Sequence, residues 1–344
     1  MHTDQASVSV IVVNWNGRDL LAGCLDSIRS QTRPPQEIIV VDNGSTDGSD
    51  EYLEREWGHT IKQVRHTENL GFAGGVNAGI RISIGEWIAL LNNDAVADPG
   101  WLAGMLEAIQ DDPRTGMCAC KILLADPADR IDKAGHLLYW DGLNGGRGFG
   151  EPDHGQYDRV EEVLFPDGCA AMYRRELFSQ VGLFDEQFFA YGDDAELGLR
   201  GRLYGWRCIY APKAVVRHRH SASLGAASPR KAFLVERNRI WLAVKLFPLA
   251  LLPMNPLFAL WRYCWHALSA AGWGGSAGTF VRRHSVWKLG WVLVQAHASS
   301  LWGLPEILRK RRQVAMQKSL RSVEFLNLIR NFRISAKELA LRDR

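Results

Sequence analysis

The chain has 344 residues, 47% of them hydrophobic and 23% charged, with a formal net charge of +3. That apolar fraction with so little net charge excludes disorder as the main state, and the length suffices for one large domain or two ordinary ones. Six cysteines without a CxxC pair exclude a disulfide scaffold; the thiols read as reduced and the compartment as cytosolic, and the N-terminus lacks the basic-then-apolar pattern of a secretory signal.

Residues 7–13 form a β-branched run that predicts a buried strand. Residues 17–29 carry Leu20, Leu21, Cys24, Leu25 and Ile28 at helical spacing. A second strand follows at 37–42, then a loop and helix start at 44–49 and a helix over 50–57. A short strand is predicted at 61–64, a Gly-opened helix over 71–84 and another buried strand at 87–91. Strand and helix alternate as in a parallel α/β sheet with crossovers. Ligands of such sheets sit at the carboxyl ends of the strands, where this chain places Asn14, Asp42 and Asn92 to Asp94.

From about 113 to 220 the pattern is mixed, with Gly-rich turns at 142–150, and Cys118 and Cys120 spaced for one face of a strand rather than for a zinc knuckle. Beyond 230 the composition changes. Residues 246–261 are strongly apolar but broken by three prolines and flanked by Trp and Arg, and residues 286–304 form a second apolar stretch. Arg309 to Arg312 and a helical tail follow, and no internal repeat is present. Charge divides the same way. Residues 1–199 hold 15 Lys+Arg against 33 Asp+Glu, and residues 200–344 hold 26 against 5. An acidic front half suits metal-assisted chemistry on an anionic substrate; a basic back half suits a phosphate-rich partner, a membrane surface or nucleic acid.

Four places can carry chemistry. Asp42 ends a strand before Asn-Gly-Ser-Thr-Asp, where a carboxylate can accept from a base N–H or ribose hydroxyls, or simply shape a turn. Asn92-Asn93-Asp94 ends another strand; a carboxylate there can hold a divalent cation whose shell is completed by substrate phosphates, or close a polar turn. Asp193, Asp194 and Glu196 stand before a helical pattern; adjacent carboxylates raise at least one pKa and suit a general base, or favour a helix N-terminus. His218 and His220 offer a metal ligand, or a basic face. Residues 71–77 are Gly-rich without GxGxxG, and neither GxxxxGK[ST] nor GxSxG occurs, so nicotinamide-cofactor, P-loop and serine-hydrolase readings fall away.

Taken in order, Val12 to Asn16, Val41 to Asp47, Asn69 to Asn77, Leu90 to Asp94 and Gly192 to Leu197 resemble a family 2 glycosyltransferase of the GT-A fold, nearest its bacterial rhamnosyltransferase-like branch. His218 to Ser223 fits the family's H-x-x-x-x-S element, and the resemblance covers roughly residues 7–245. It implies an α/β GT-A nucleotide-sugar fold with a mixed, mainly parallel sheet over residues 1–228, and a basic, Trp-rich helical region over 229–344 that associates with a membrane or oligomerises. It also implies site roles: Asp42 on the nucleotide base with Asn14 and Asn77 nearby, Asn92, Asn93 and Asp94 at the donor with Asp94 on the metal, and His218 as a further metal contact. Asn92 departs from the DxD pattern, which weakens that position as a ligand. Asp194 resembles the general base, with Asp193 as the fallback; Arg200 and His220 would meet a donor or acceptor phosphate. The cofactor would be Mg²⁺ or Mn²⁺. The partners would be a nucleotide-sugar, first dTDP-rhamnose and otherwise a UDP-sugar, and a lipid-linked or polysaccharide acceptor.

The implied reaction is an inverting transfer at the cytoplasmic side of the inner membrane. The interrupted apolar stretches suit interfacial helices better than true spans. The competing reading for the tail is a helical subdomain or dimer interface. A non-catalytic sugar- or nucleic-acid-binding protein is the rival of another class, but no nucleic-acid module occurs and no nucleic-acid partner is expected.

Overall fold

In a computed structural model, residues 6–109, 112–219, 227–272 and 274–342 are described. The front half begins β1 (Val8–Asn14), α1 (Arg18–Arg29), β2 (Glu37–Asp42), α2 (Ser49–Trp57), β3 (Lys62–Arg65), α3 (Gly71–Ile82) and β4 (Trp87–Leu91). It continues with β5 (Ala95–Ala97), α4 (Trp101–Ile109), β6 (Thr115–Leu124), β7 (Ile131–Lys133), β8 (His136–Leu138), β9 (Asn144–Gly146), β10 (Glu161–Val163), β11 (Ala170–Arg174), α5 (Arg175–Val181), α6 (Asp193–Leu203) and β12 (Arg207–His218). The rest is helical: α7 (Pro229–Leu246), α8 (Asn255–Ala271), α9 (Gly275–Arg283), α10 (Val286–Trp302), α11 (Leu304–Gln317), α12 (Ser322–Asn331) and α13 (Ala336–Arg342).

The main sheet has the order β10-β12-β6-β11-β4-β1-β2-β3, with β5 added to β12 and β7 to β6. β4, β1, β2 and β3 are parallel, as are β6 and β12, while β11 runs antiparallel between β4 and β6. The sheet is thus mixed, with its longest ladders parallel. Both faces are covered, so Val10 to Val13 of β1 read as a continuous apolar run. Val10 and Val12 pack with Leu21, Leu25 and Ile28 of α1 on one face; Ile11 packs with Val76 and Ile80 of α3 on the other. Cys118 and Cys120 of β6 share the first of these faces, as their spacing predicts, and no described cysteine is paired.

The C-terminal helices are not detached from this layer. Ala195, Leu199 and Leu203 of α6 share one core with Trp241 and Leu246 of α7, Ile307 of α11 and Phe325 of α12. The apolar run broken by prolines resolves into the end of α7, a 3-10 turn at Leu249–Met254 and the start of α8, where Pro256 occupies the first turn of the helix. Among the described residues, no helix is long and apolar enough to cross a membrane.

Candidate active site

β1 and β2 end side by side, Asn14 opposite Asp42. Asn14 Nδ2 donates to Asp42 Oδ2 (3.0 Å) and Ser45 Oγ (3.2 Å), while Asn14 Oδ1 accepts from Asn93 Nδ2 (2.8 Å). Ser45 N donates to the other Asp42 oxygen at 2.9 Å. The approach is so close that a Cβ on Gly17 would stand 2.1 Å from Asn93 Nδ2. Asn14 and Asp42 are therefore buried behind the cleft, and Asn43, Asn69, Asn92 and Asn93 reach its surface. The expected donor contact of Asn14 is corrected: its hydrogen bonds all stay inside the fold, where they aim Asp42 and Asn93.

Two further expectations are corrected. Asn77 donates to Phe184 O (2.9 Å) and Glu186 Oε1 (2.8 Å) and accepts from Phe184 N (3.0 Å), so it pins α3 to the segment before α6 instead of facing a nucleotide. Arg200 is buried, with Nε and Nη2 on the two Glu196 oxygens (2.8 and 2.7 Å) and further bonds to the carbonyls of Val181, Gly182 and Leu183. A guanidinium whose donors are so engaged has none left for a phosphate. His220 and Ser223 lie outside the described residues.

Asp94 follows β4, and β5 then runs antiparallel to β12 with Ala95 opposite His218. This register brings His218 Nε2 to 3.4 Å from Asp94 Oδ1, although the two lie 124 positions apart in sequence. Asp94 Oδ1 is buried and has no hydrogen-bond partner among the described residues. His218 Nδ1 stands 2.7 Å from Asp132 Oδ2. A carboxylate only accepts, so Nδ1 carries the proton and Nε2 is the nitrogen aimed at Asp94. Burial disfavours the imidazolium, but Cys169, Asp132 and Asp94 hold the ring's pKa well above the ordinary histidine range. Asp94 Oδ1 and His218 Nε2, both buried and 3.4 Å apart with the ring oriented by a second carboxylate, fit a divalent cation that would take the place of the Nε2 proton.

Asp193 and Asp194 occupy the first turn of α6, entered through Gly192 at φ 83°. Asp194 accepts from Gly168 N (3.0 Å) and Ala195 N (2.7 Å). Burial raises its pKa, and the Asp167 carboxylate raises it further. Asp193 is raised well above the ordinary value by burial and by Asp194, and its Oδ2 has no hydrogen-bond partner among the described residues. Asp167 itself lies well below the usual carboxylate range: burial opposes this, but Lys133 and His136 outweigh it. His136, Asp167 and Asp194 bring ligand atoms within 4.8 Å of one another, yet Lys133 Nζ stands 3.0 Å from Asp167 Oδ2 and already supplies the positive charge of that corner.

Asn92, Asn93, Asp94, Asp193, Asp194 and His218 line one cavity of about 570 Å³. Asp132, Lys133, His136 and Asp167 were not expected here. Their only trace in the sequence is Asp-Lys-Ala-Gly-His in a mixed region and Asp-Gly before an apolar run, patterns shared by many ordinary turns.

This fold and this cleft define a glycosyltransferase of the GT-A type that acts on nucleotide sugars. The chain belongs to glycosyl transferase family 2, whose model matches residues 9–182. It is 29% identical over 245 residues to the O-antigen biosynthesis protein RfbC of Myxococcus xanthus, a match that spans 69% of this chain but only 18% of RfbC. It is 28% identical over 265 residues to the N-acetylglucosaminyl-diphospho-decaprenol L-rhamnosyltransferase of Mycobacterium tuberculosis, spanning 67% of this chain and 85% of that one. The crystal structure of GalNAc-T7 with UDP, GalNAc and Mn²⁺ superposes with a TM-score of 0.55 at 17% identity, over 70% of this chain and 48% of that one, a likeness of fold alone. Asp193, Asp194 and His218 lie beyond the residues that the family model matches.

Proposed function

We propose that this protein is an inverting glycosyltransferase of cell-surface glycan synthesis. It moves a sugar, first L-rhamnose from dTDP-rhamnose, to a hydroxyl of a lipid-diphosphate-linked or polysaccharide acceptor. One observation carries the reading: Asp94 and His218, with Asp94 Oδ1 3.4 Å from His218 Nε2, share a cavity with the Asp193–Asp194 pair, and Asp193 leaves a buried oxygen without a donor among the described residues. The name of the Mycobacterium tuberculosis relative supports rhamnose and a diphosphate-linked lipid.

Asp94 and His218 would hold Mg²⁺ or Mn²⁺, which when bound neutralises the diphosphate leaving group. Asn92 and Asn93 face the donor, and Asp42, buried behind the cleft with Asn14 and Ser45, shapes the strand end that bounds the nucleotide side. Burial raises both carboxyls, and Asp194 pushes Asp193 higher still, while two backbone N–H groups favour the anion of Asp194. Asp194 takes the acceptor hydroxyl's proton while that oxygen bonds to the anomeric carbon. The bond from that carbon to the diphosphate oxygen breaks on the opposite side, which inverts the centre.

Residues 1–228 carry this chemistry in our reading, and 229–344 meet the acceptor's surroundings. Trp261 of α8 and Trp287, Trp291 and Trp302 of α10 are 58%, 88%, 58% and 91% exposed, with Arg282, Arg283 and Lys288 exposed nearby. Interfacial tryptophans beside basic residues suit the surface of an anionic bilayer, and a homo-oligomer contact is the competing use of that face. Sedimentation with anionic vesicles that fades in high salt supports the first; concentration-dependent mass without vesicle binding supports the second.

The deciding experiment is a donor panel with Mn²⁺, read by thermal stability and transfer. Stabilisation by dTDP-rhamnose, with transfer to a lipid-diphosphate sugar, is expected. Stabilisation by a UDP-sugar instead replaces the donor, and no response to any nucleotide-sugar refutes the reading.

A further inference from the structure

The segment that leads into the Asp193–Asp194 pair is strained. After a 3-10 turn at Glu186–Phe188 the chain passes through Phe189 at φ 66° and ψ −62°, and Ala190 N donates to Phe188 O at 2.8 Å. That is a γ-turn of the positive-φ kind, a rare and strained form. Tyr191 at φ 66° and Gly192 at φ 83° follow at once, and α6 begins at Asp193. Phe189 and Tyr191 carry bulky side chains at φ values that favour glycine. Such backbone persists only where its surroundings over-determine it. Residues 189–194 all line the cavity.

Two helices supply those surroundings. From one side, Ala73 N of α3 donates to Phe189 O at 3.3 Å, and a Cβ on Gly71 would stand 2.3 Å from the same oxygen. From the other side comes Asn238 of α7. Its Nδ2 donates to Phe188 O (2.8 Å), Ala190 O (2.9 Å) and Tyr191 O (2.7 Å). Arg237 Nε donates to Asn238 Oδ1 at 3.0 Å, which fixes the amide end that faces the turn, and Arg237 Nη2 reaches Gln187 O (3.1 Å) and Phe188 O (3.2 Å). Asparagine is a weak helix former, so its place inside α7 follows from these bonds and not from helical preference. Asn238 is buried and does not line the cavity.

We infer that Asn238 is a positioning residue for the transfer: by holding the turn at 188–191 from behind, it fixes where α6 starts and so where Asp194 stands in the cavity. The inference rests on the proposed role of Asp194 as the base. It extends the working site past residue 228 into α7, whose Asn238 acts only through the turn it grips.

The test pairs hydrogen exchange with transfer kinetics on the full chain. In the wild type, the amides of Phe189 and Ala190, which donate to Glu186 O and Phe188 O, are expected to exchange about tenfold or more slower than in an unstructured chain. Exchange at the unstructured rate overturns the inference without any variant. In Asn238→Ala, and in Asn238→Asp, which keeps the size but not the amide protons, exchange over 188–194 is expected to rise about tenfold while β2 and β4 stay as they are. kcat for transfer from dTDP-rhamnose with Mn²⁺ is expected to fall about 10–100-fold, since a shift of about 1 Å at a reacting group can cost that much. The donor KM, governed at Asp94 and His218 away from this turn, is expected to stay within about twofold. A role in packing alone would spare the Asp variant. Wild-type kcat in either variant, or a donor KM that rises as steeply as kcat falls, overturns the inference. If the turn loosens as expected but Asp194→Asn keeps wild-type transfer, the base assignment fails alone. If Asp194→Asn loses transfer and the loosened variants keep it, the positioning role fails alone.

Discussion

Replacing Asp132 by asparagine tests how His218 is aimed. Asp132 is fully buried, and its Oδ2 fixes His218 Nδ1 at 2.7 Å, so the substitution removes the charge and replaces one of its two acceptor oxygens by a donor amide without changing size. Lys133 Nζ, 3.4 Å from Asp132 Oδ1, keeps Asp167 at 3.0 Å, which limits the cost to the fold. Carboxylates that orient a liganding histidine are typically worth about 10–100-fold in metal affinity. That corresponds to about 1.4–2.8 kcal/mol. The assay is Mn²⁺ titration by calorimetry, with urea denaturation alongside to show that the variant folds. Because His218 is held protonated above its ordinary range, wild-type Mn²⁺ affinity should also fall as pH is lowered. If Asp132→Asn binds Mn²⁺ within twofold of the wild type while His218→Ala does not bind it, the orientation argument is wrong.

Asp194→Asn should lower turnover by about 10²–10⁴-fold while the thermal shift given by the donor stays, because a positioned base acts on the proton and not on binding; loss of donor binding in equal measure would contradict the assignment. Arg200→Ala removes one of the two cations on buried Glu196, whose Oε1 keeps Lys245 Nζ at 2.7 Å, together with three carbonyl bonds, so about 1–3 kcal/mol of stability should vanish in urea titration, with the donor's KM unchanged in the folded fraction. Asp185 ties Lys245 of α7 (2.6 Å) to Lys310 of α11 (2.5 Å). Burial opposes its ionisation, but the two lysines lower its carboxyl from 3.8 to about 2. Its stabilisation of about 2 kcal/mol is therefore complete above about pH 4 and lost as pH falls toward 2. Asp185→Asn should flatten that part of the stability–pH curve.

Local pattern reached each strand and helix as far as β4, but not the three-residue β5, whose pairing with β12 is set by a strand more than a hundred positions away. The helix predicted over 71–84 ends at Ile82, and the strand predicted at 61–64 spans Lys62–Arg65, shifts that leave the strand-end residues in place. The mixed region from 113 to 220 was opaque because its strands are not laid down in neighbour order: β11 inserts between β4 and β6, and β12 returns beside β6. Asn77 and Arg200 show the opposite failure. Each sits in a motif that resembles a functional one, and each is turned inward by carbonyls from a segment that no local spacing could bring to it.

The sequence by itself determined the parallel edge of the sheet, the placing of Asn14, Asp42 and Asp94 at strand ends, and the carboxylate pair at a helix start. Those features depend on periodicity, β-branching and turn chemistry, which act within a few residues. Only the tertiary structure decided that Asp132 aims His218, that Lys133 already neutralises Asp167, and that the C-terminal helices wall the same cavity as the carboxylates. These contacts join residues that lie tens of positions or more than a hundred apart, so they arise only when the sheet order and the packing of α7 on α6 have brought them together.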